Sequence, residues 1–171
     1  MLKKVYNNVE DQRLLDGSDV VEDVTSVSLP TVGFSTSTVN ASGMAGAVDM
    51  PNPSKVEAME LSVAHNNGHN CEKLSAPGKH MIELRVARQM YDVAEGDLKH
   101  EGMKVRATCV FKSNEKGTIE AGNPYGSTAK FSVLRYEEIL NGVQVMLVDL
   151  MAGKIVVNGK SYTDEVENLL K

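Results

Sequence analysis

In Lys104-Val105-Arg106-Ala107-Thr108-Cys109-Val110-Phe111-Lys112, the apolar residues Val105, Ala107, Cys109 and Phe111 alternate with Lys104, Arg106, Thr108 and Lys112. A period of two belongs to a strand with one face buried and the other wet. The same period recurs on both sides of this stretch. His80, Ile82, Leu84 and Val86 alternate with Met81, Glu83, Arg85 and Ala87, and Ala129, Phe131 and Val133 oppose Lys130, Ser132 and Leu134. Met59, Leu61 and Val63 share one face of a strand expected over residues 55–65, opposite Ala58, Glu60 and Ser62. Val143, Val145 and Leu147 alternate with Gln144, Met146 and Val148, apolar on both faces, as in a central strand. Turn residues separate these runs at 66–68, 92–102, 114–126 and Asn141-Gly142.

Helical signal is thin. Residues 71–76 allow a turn or two before Pro77-Gly78 ends them. At the tail, Thr163 can cap, Asp164 and Glu165 suit a helix N-terminus, and Val166, Leu169 and Leu170 form a short apolar stripe. Six or seven strands with one or two short helices predict a mainly β fold, a sandwich or partial barrel in one domain over residues 1–171. Within it, residues 1–23 read as an acidic N-terminal segment and 24–171 as the β core with its C-terminal helix.

The chain has 171 residues, 42% hydrophobic and 24% charged, the balance of a globular protein. Aromatics are 5% with no Trp, too few for a base-stacking platform, and a net charge of −5 argues against a broad basic surface for duplex nucleic acid. No apolar run is long enough to cross a bilayer as a helix, and residues 1–8 lack the apolar core of a secretory signal. Cys71 and Cys109 are therefore expected as reduced, structural thiols.

Charge is unevenly placed. Between Glu10 and Asp23, the acids Glu10, Asp11, Asp16, Asp19, Glu22 and Asp23 face only Arg13, which matches the whole net charge of −5. This stretch is either a solvated loop or an arm docking on basic residues such as Lys99, Lys104, Arg106, Lys112 and Lys116. From Val24 to Val48 nothing is charged, and Ser and Thr sit among strand formers. A long uncharged strand of this kind is either an ordinary pair with a hydroxyl-rich outer face or a surface covered by a partner or lining a wet channel.

Catalytic chemistry finds no footing. His65, His69 and Cys71 lack the four-ligand spacing of a structural zinc site. Gly43-Met44-Ala45-Gly46 lacks the ending of a phosphate loop, and Glu137-Glu138, adjacent on a strand, point to opposite faces. The methionines are scattered as core or interface filler. No catalytic, cofactor-binding or metal-ligating residue is assigned, and no cofactor is expected.

The chain resembles the major tail tube proteins of contractile-tailed phages of the P2 type, shared with R-type bacteriocins. The resemblance runs through Val24-Thr25-Ser26-Val27-Ser28-Leu29-Pro30-Thr31-Val32, the turn Ser42-Gly43-Met44-Ala45-Gly46, Val48-Asp49-Met50, the strand at 55–64, Val148-Asp149-Leu150-Met151, and Val156-Val157-Asn158-Gly159 before a short helix. It spans residues 20–171, while the acidic N-terminal segment and the 114–127 loop depart from the pattern. It implies hexameric rings that share a β-barrel and stack into a tube without enzymatic activity, assembled in the bacterial cytoplasm. A sheath surrounds that tube and drives it through a target envelope; baseplate and tail terminator proteins are further partners, and DNA is passing cargo in a phage. On that reading, Gly43, Met44, Ala45, Gly46, Val48, Asp49 and Met50 are expected between subunits or rings. Ala58, Glu60 and Ser62 are expected toward the channel, and Asp16, Asp19, Glu22, Asp23, Lys104 and Arg106 in inter-ring or sheath electrostatics. The alternative from another class is a free-standing β-sandwich ligand-binding module, which needs more exposed aromatics than the chain supplies.

Overall fold

A computed structural model describes residues 3–66 and 71–171. In chain order the elements are β1 (Lys4–Asp16), β2 (Asp19–Val21), β3 (Val24–Ser28), β4 (Phe34–Val39), β5 (Val48–Val56), β6 (Met59–His65), α1 (Cys71–Leu74), β7 (Lys79–Asp92), β8 (Asp97–Lys116), β9 (Ser127–Leu140), β10 (Val143–Asp149), β11 (Lys154–Val157), β12 (Lys160–Ser161) and α2 (Asp164–Leu169). Ten strands form one antiparallel sheet, in which β12-β11-β10-β9-β8-β7-β1-β2 is the main path and β3 and β6 branch from the first half of β9. Among the described residues, the strands β4 and β5 pair only with each other. The mainly β fold expected from the alternation is therefore present, with more strands than expected and with β7, β8 and β9 longer than the alternating runs that announced them.

The period-two faces fall as read. Leu14, Leu84 and Val105 lie in one cross-strand row and are buried. Leu61, Phe131 and Phe111 form another, and the Phe131 ring meets Phe111 edge-on at 6.0 Å. Each fully buried side chain of this size contributes about 1.5–3 kcal/mol relative to exposure. These rows, with Met59, Val63, Ala107, Cys109, Val133, Tyr136 and Val148, make one continuous core under the inner face of the sheet. The strand β10 lies between β9 and β11, the central position its two apolar faces require.

Two turns show why particular residues stand where they do. Asn141 (φ 49°) and Gly142 (φ 80°) are both left-handed and join Leu140 to Val143, the two-residue connection whose twist suits a hairpin. At the neck of the 117–126 loop, a Cβ on Gly117 would sit 2.0 Å from the Gly126 carbonyl oxygen, so no larger residue fits.

Several expectations are corrected. The strand expected over 55–65 is broken at Glu57-Ala58, where the Glu57 N–H bonds to the Gly33 carbonyl at 2.8 Å; β5 and β6 belong to different sheets. The uncharged run is not one long strand but β3 and β4, parted around Pro30, which has no N–H to donate to a ladder. The turn at 92–102 shrinks to the bend between β7 and β8, and β8 runs on to Lys116 before the next loop. The acidic segment is neither a loop nor a free arm: β1 pairs with β7 from Lys4 to Asp16, and Leu14 enters the core. Thr163 does not cap α2 with its hydroxyl, which instead accepts the Ile155 N–H at 3.4 Å. The apolar stripe of α2 is not buried; Leu169 is 84% exposed.

Candidate functional site

The surfaces available for assembly follow from what the sheet leaves unpaired. Along β1, β2 covers only Leu14 to Asp16, so residues 4–13 present a strand edge with no partner among the described residues. The edge borders a ladder of long strands, β1-β7-β8-β9, of 13, 14, 20 and 14 residues. Val5, Tyr6 and Val9 on it are exposed. An open edge of this length is a template for another strand.

The second surface is the β4–β5 hairpin. Phe34 and Val56 at its base pack on the core, while Val39, Met44, Val48 and Met50 further out are exposed, Met50 by 54%. Its tip contains Gly43 at φ 97° and a turn in which the Met44 N–H meets the Ala41 carbonyl at 3.1 Å. Asp49, the one charge near the tip, accepts the Thr38 hydroxyl at 2.7 Å. Gly43, Met44, Ala45, Gly46, Val48, Asp49 and Met50 are thus brought together on one exposed, mainly uncharged projection.

The third surface is the outer face of the long ladder. Glu60 and Ser62 point away from the buried Met59, Leu61 and Val63, as alternation required; Ala58 lies in the break before β6 and is exposed. Glu60 pairs with Lys112, whose hydrogen bond holds its carboxyl below the usual value, with Lys130 nearby adding to the effect. Further along, Glu83 takes Arg85 Nε at 2.6 Å on one oxygen and Arg106 Nε at 2.9 Å on the other, and Arg106 also approaches Glu137 at 3.9 Å. This face carries both signs, with Glu83, Arg106 and Glu137 alternating along one cross-strand row.

The electrostatic set divides. Asp16 is spent inside the chain: its Oδ2 lies 2.7 Å from Nδ1 of buried His80, and its Oδ1 accepts the Met81 N–H at 3.1 Å. These bonds hold its carboxylate within the subunit. Arg106 is occupied by Glu83. Asp19, Glu22 and Asp23 stay near the surface, and among the described residues their one ion pair is the exposed 3.7 Å contact from Lys73 to Asp19. Lys104 makes no ion pair among the described residues. The sequence pattern missed His80 as Asp16's partner because 64 positions separate them, and nothing local signals such a pair.

Cys109 is buried, its thiol pushed up to about 12 by burial and directed at the His80 carbonyl, 3.8 Å away. It is a core residue, as its place in the alternation required. Among the described residues, no group of three or more His, Cys, Asp and Glu could hold a metal ion; His69 lies outside them.

A family model described as phage tail tube protein FII matches residues 12–170. No curated protein matches the chain. Among solved structures, the chain is similar to one from an extracellular contractile injection system, the PVC sheath-tube complex in the extended state. There the identity is 14%, the TM-score is 0.49, and the match covers 74% of this chain and 86% of the other.

Proposed function

From the premise that the chain belongs to the phage tail tube protein FII family, we infer how this structural subunit of a contractile-tail inner tube builds its particle. The observation that carries the reading is the unpaired edge at residues 4–13 beside the long four-stranded ladder. A strand from a second copy laid on that edge would continue the sheet from subunit to subunit. Six copies closing in a ring give a barrel without edges, and closure relieves the aggregation hazard an open edge carries. The outer face of the ladder, with Glu60 and Ser62, then lines the channel, and Ala58 lies at its margin. The β4–β5 hairpin, uncharged and partly apolar at Met44, Val48 and Met50, reaches a neighbouring subunit or ring. The sheath surrounds the stack, baseplate and terminator proteins close its ends, and DNA passes through in a phage. Assembly takes place in the bacterial cytoplasm, and the subunit performs no catalysis.

Electron microscopy of the purified chain should show rings or tubes. A chain lacking residues 1–9 should keep its β-rich circular dichroism, since Leu14 and its row remain, yet form none. Tubes indistinguishable from those of the intact chain would remove β1 from the subunit contact.

A further inference from the structure

Across the outer face of β1, β7 and β8 runs a row of three cations in direct cross-strand register: Arg13 opposite Arg85, and Arg85 opposite Lys104. Like charges placed opposite one another on a sheet repel. Arg85 is held by Glu83 at 2.6 Å, and the charge of Lys104 also acts on the Glu83 carboxylate from beyond ion-pair distance; Arg13 and Lys104 make no ion pair within 4 Å among the described residues. The next outward-facing row on β7 and β8 consists of Ala87 opposite Gly102. With almost no side chain there, the face sinks into a trough of about 560 Å³ whose wall is the cationic row.

Of the other ionisable groups along the trough, His100 and Glu101 are engaged by side chains, and Asp11 by a backbone N–H alone. His100 is held by Glu10 at 3.0 Å. Glu101 is buried inward, with Arg88 Nη2 at 2.8 Å and Asn141 Nδ2 at 2.8 Å on its two oxygens. Asp11 lies at the β1 end of the floor row, with one oxygen taken by the Gln12 N–H at 2.8 Å. Arg13 and Lys104, without an ion pair of their own among the described residues, therefore stand beside a hollow floored by small residues, a geometry that suits an anion.

We propose that the trough over Ala87 and Gly102 binds a phosphate oxyanion, gripped from its wall by Arg13, Arg85 and Lys104. Adjacent strands are about 4.8 Å apart, so the row spans roughly 10 Å. That span lets three cations converge on a single phosphate group through charge-assisted hydrogen bonds, with guanidinium forks offering paired donors. The phosphate is either free or the phosphodiester of a nucleic-acid strand; either way recognition is of the oxyanion, without base reading. The site belongs to a single subunit and does not depend on ring formation.

Equilibrium dialysis of the full chain against labelled inorganic phosphate, and in parallel against a labelled oligonucleotide, tests it at low salt. Saturable binding at one phosphate per chain is expected, weakened about tenfold or more by the double variant Arg13→Gln/Lys104→Gln, the scale of a lost charge-assisted contact. Gly102→Leu fills the trough without removing a charge: a Cβ at Gly102 meets nothing within 4 Å, and its φ is not left-handed. It too should abolish binding, while Lys104→Arg retains it and Lys154→Gln, elsewhere on the sheet, changes nothing. Ala87→Leu gives the same steric test should Gly102→Leu lose its circular dichroism. Binding of phosphate alone identifies the free ion as ligand, whereas tighter, steeply salt-dependent oligonucleotide binding that phosphate competes away identifies the phosphodiester. Absence of binding by both probes, or binding that survives the trough-filling variants, overturns the proposal. Electron microscopy of the same samples reads ring formation separately, so the two readings fail independently.

Discussion

His80 shows how a single residue ties the N-terminal hairpin to the core. Its ring is buried, Nδ1 lies 2.7 Å from Asp16 Oδ2, Nε2 lies 2.8 Å from the Ala76 carbonyl, and the ring edge meets Phe131 at 5.4 Å. Both ring nitrogens face acceptors, and only the imidazolium donates from both. Burial alone would lower its pKa; the Ala76 carbonyl and the Asp16 carboxylate outweigh that and raise it above the ordinary 6.5. His65 is the reverse case. Burial lowers its pKa from 6.5; the Glu22 backbone and Asp23 carboxylate pull the other way but do not outweigh burial. The signs follow. The His80 contribution is whole below pH 6.5 and is lost as pH rises through its raised value; the His65 contribution is whole above pH 6.5 and is lost as pH falls through its lowered one. Urea unfolding across pH should therefore give a stability maximum. His80→Gln should flatten the alkaline limb and cost about 1.5–3 kcal/mol near pH 6, the worth of hydrogen bonds to charged groups; His65→Gln should flatten the acid limb. An alkaline limb unchanged in His80→Gln would mean the ring is neutral in the fold. Of these residues, sequence alone placed His80 on the inward face, because alternation reports burial. It could not report protonation, which depends on an acceptor 64 positions away. Cys109 was legible for the same reason His80 was, and Cys109→Ser should cost about 1–3 kcal/mol, the penalty of a buried hydroxyl without full compensation, read as a lower urea midpoint.

At the scale of elements, alternation located strands well and their ends poorly. The ladder β7-β8-β9 was legible because each strand has one wet and one dry face over many residues. The β4–β5 hairpin was not, since neither of its faces is buried along most of its length, and period two has nothing to register there. What the sequence did show was its oddity: no charge from Val24 to Val48, and glycines at 43 and 46. An exposed hairpin so composed offers a neighbour a surface with little charge to desolvate. Ala45→Asp places a charge at its tip, where the isolated subunit leaves it solvated. The change should leave the melting transition within the roughly ±0.5 kcal/mol typical of surface substitutions. Buried against a second copy, the same charge would be unpaired and costly. A folded, monodisperse subunit that no longer forms tubes in the electron microscope is the expected result, and normal tubes would place the tip in solvent.

Across the whole molecule, the acids concentrated before residue 24 were read as a unit, and folding divides them by function. Glu10 braces Gln89 and His100 within the sheet, and Asp16 is the partner of His80. Asp19, Glu22 and Asp23, around β2 at the far end of the sheet path, remain available. The bases divide likewise: Lys99 is held by Asp92 and Glu95, Lys112 by Glu60 and Arg106 by Glu83, leaving Lys104 and Lys116 without an ion pair among the described residues. Composition gave the magnitude of the asymmetry; only the fold shows which charges are left over, because cross-strand pairing consumes those that meet in register. Free acids near β2 and free bases on β8, repeated in every copy, suit a head-to-tail contact between subunits. Each exposed pair contributes about 0–1 kcal/mol and is screened beyond about 8 Å at physiological salt, so the effect is on rate and register rather than on fold. Light scattering should show polymerisation of the parent slowing as salt rises. The triple variant Asp19→Asn/Glu22→Gln/Asp23→Asn should assemble more slowly at low salt and lose most of that salt dependence. Asp16 is left intact so that the His80 clamp is not disturbed. Should the parent polymerise at the same rate at low and high salt, these three carboxylates serve only to keep the β1–β2 end hydrated.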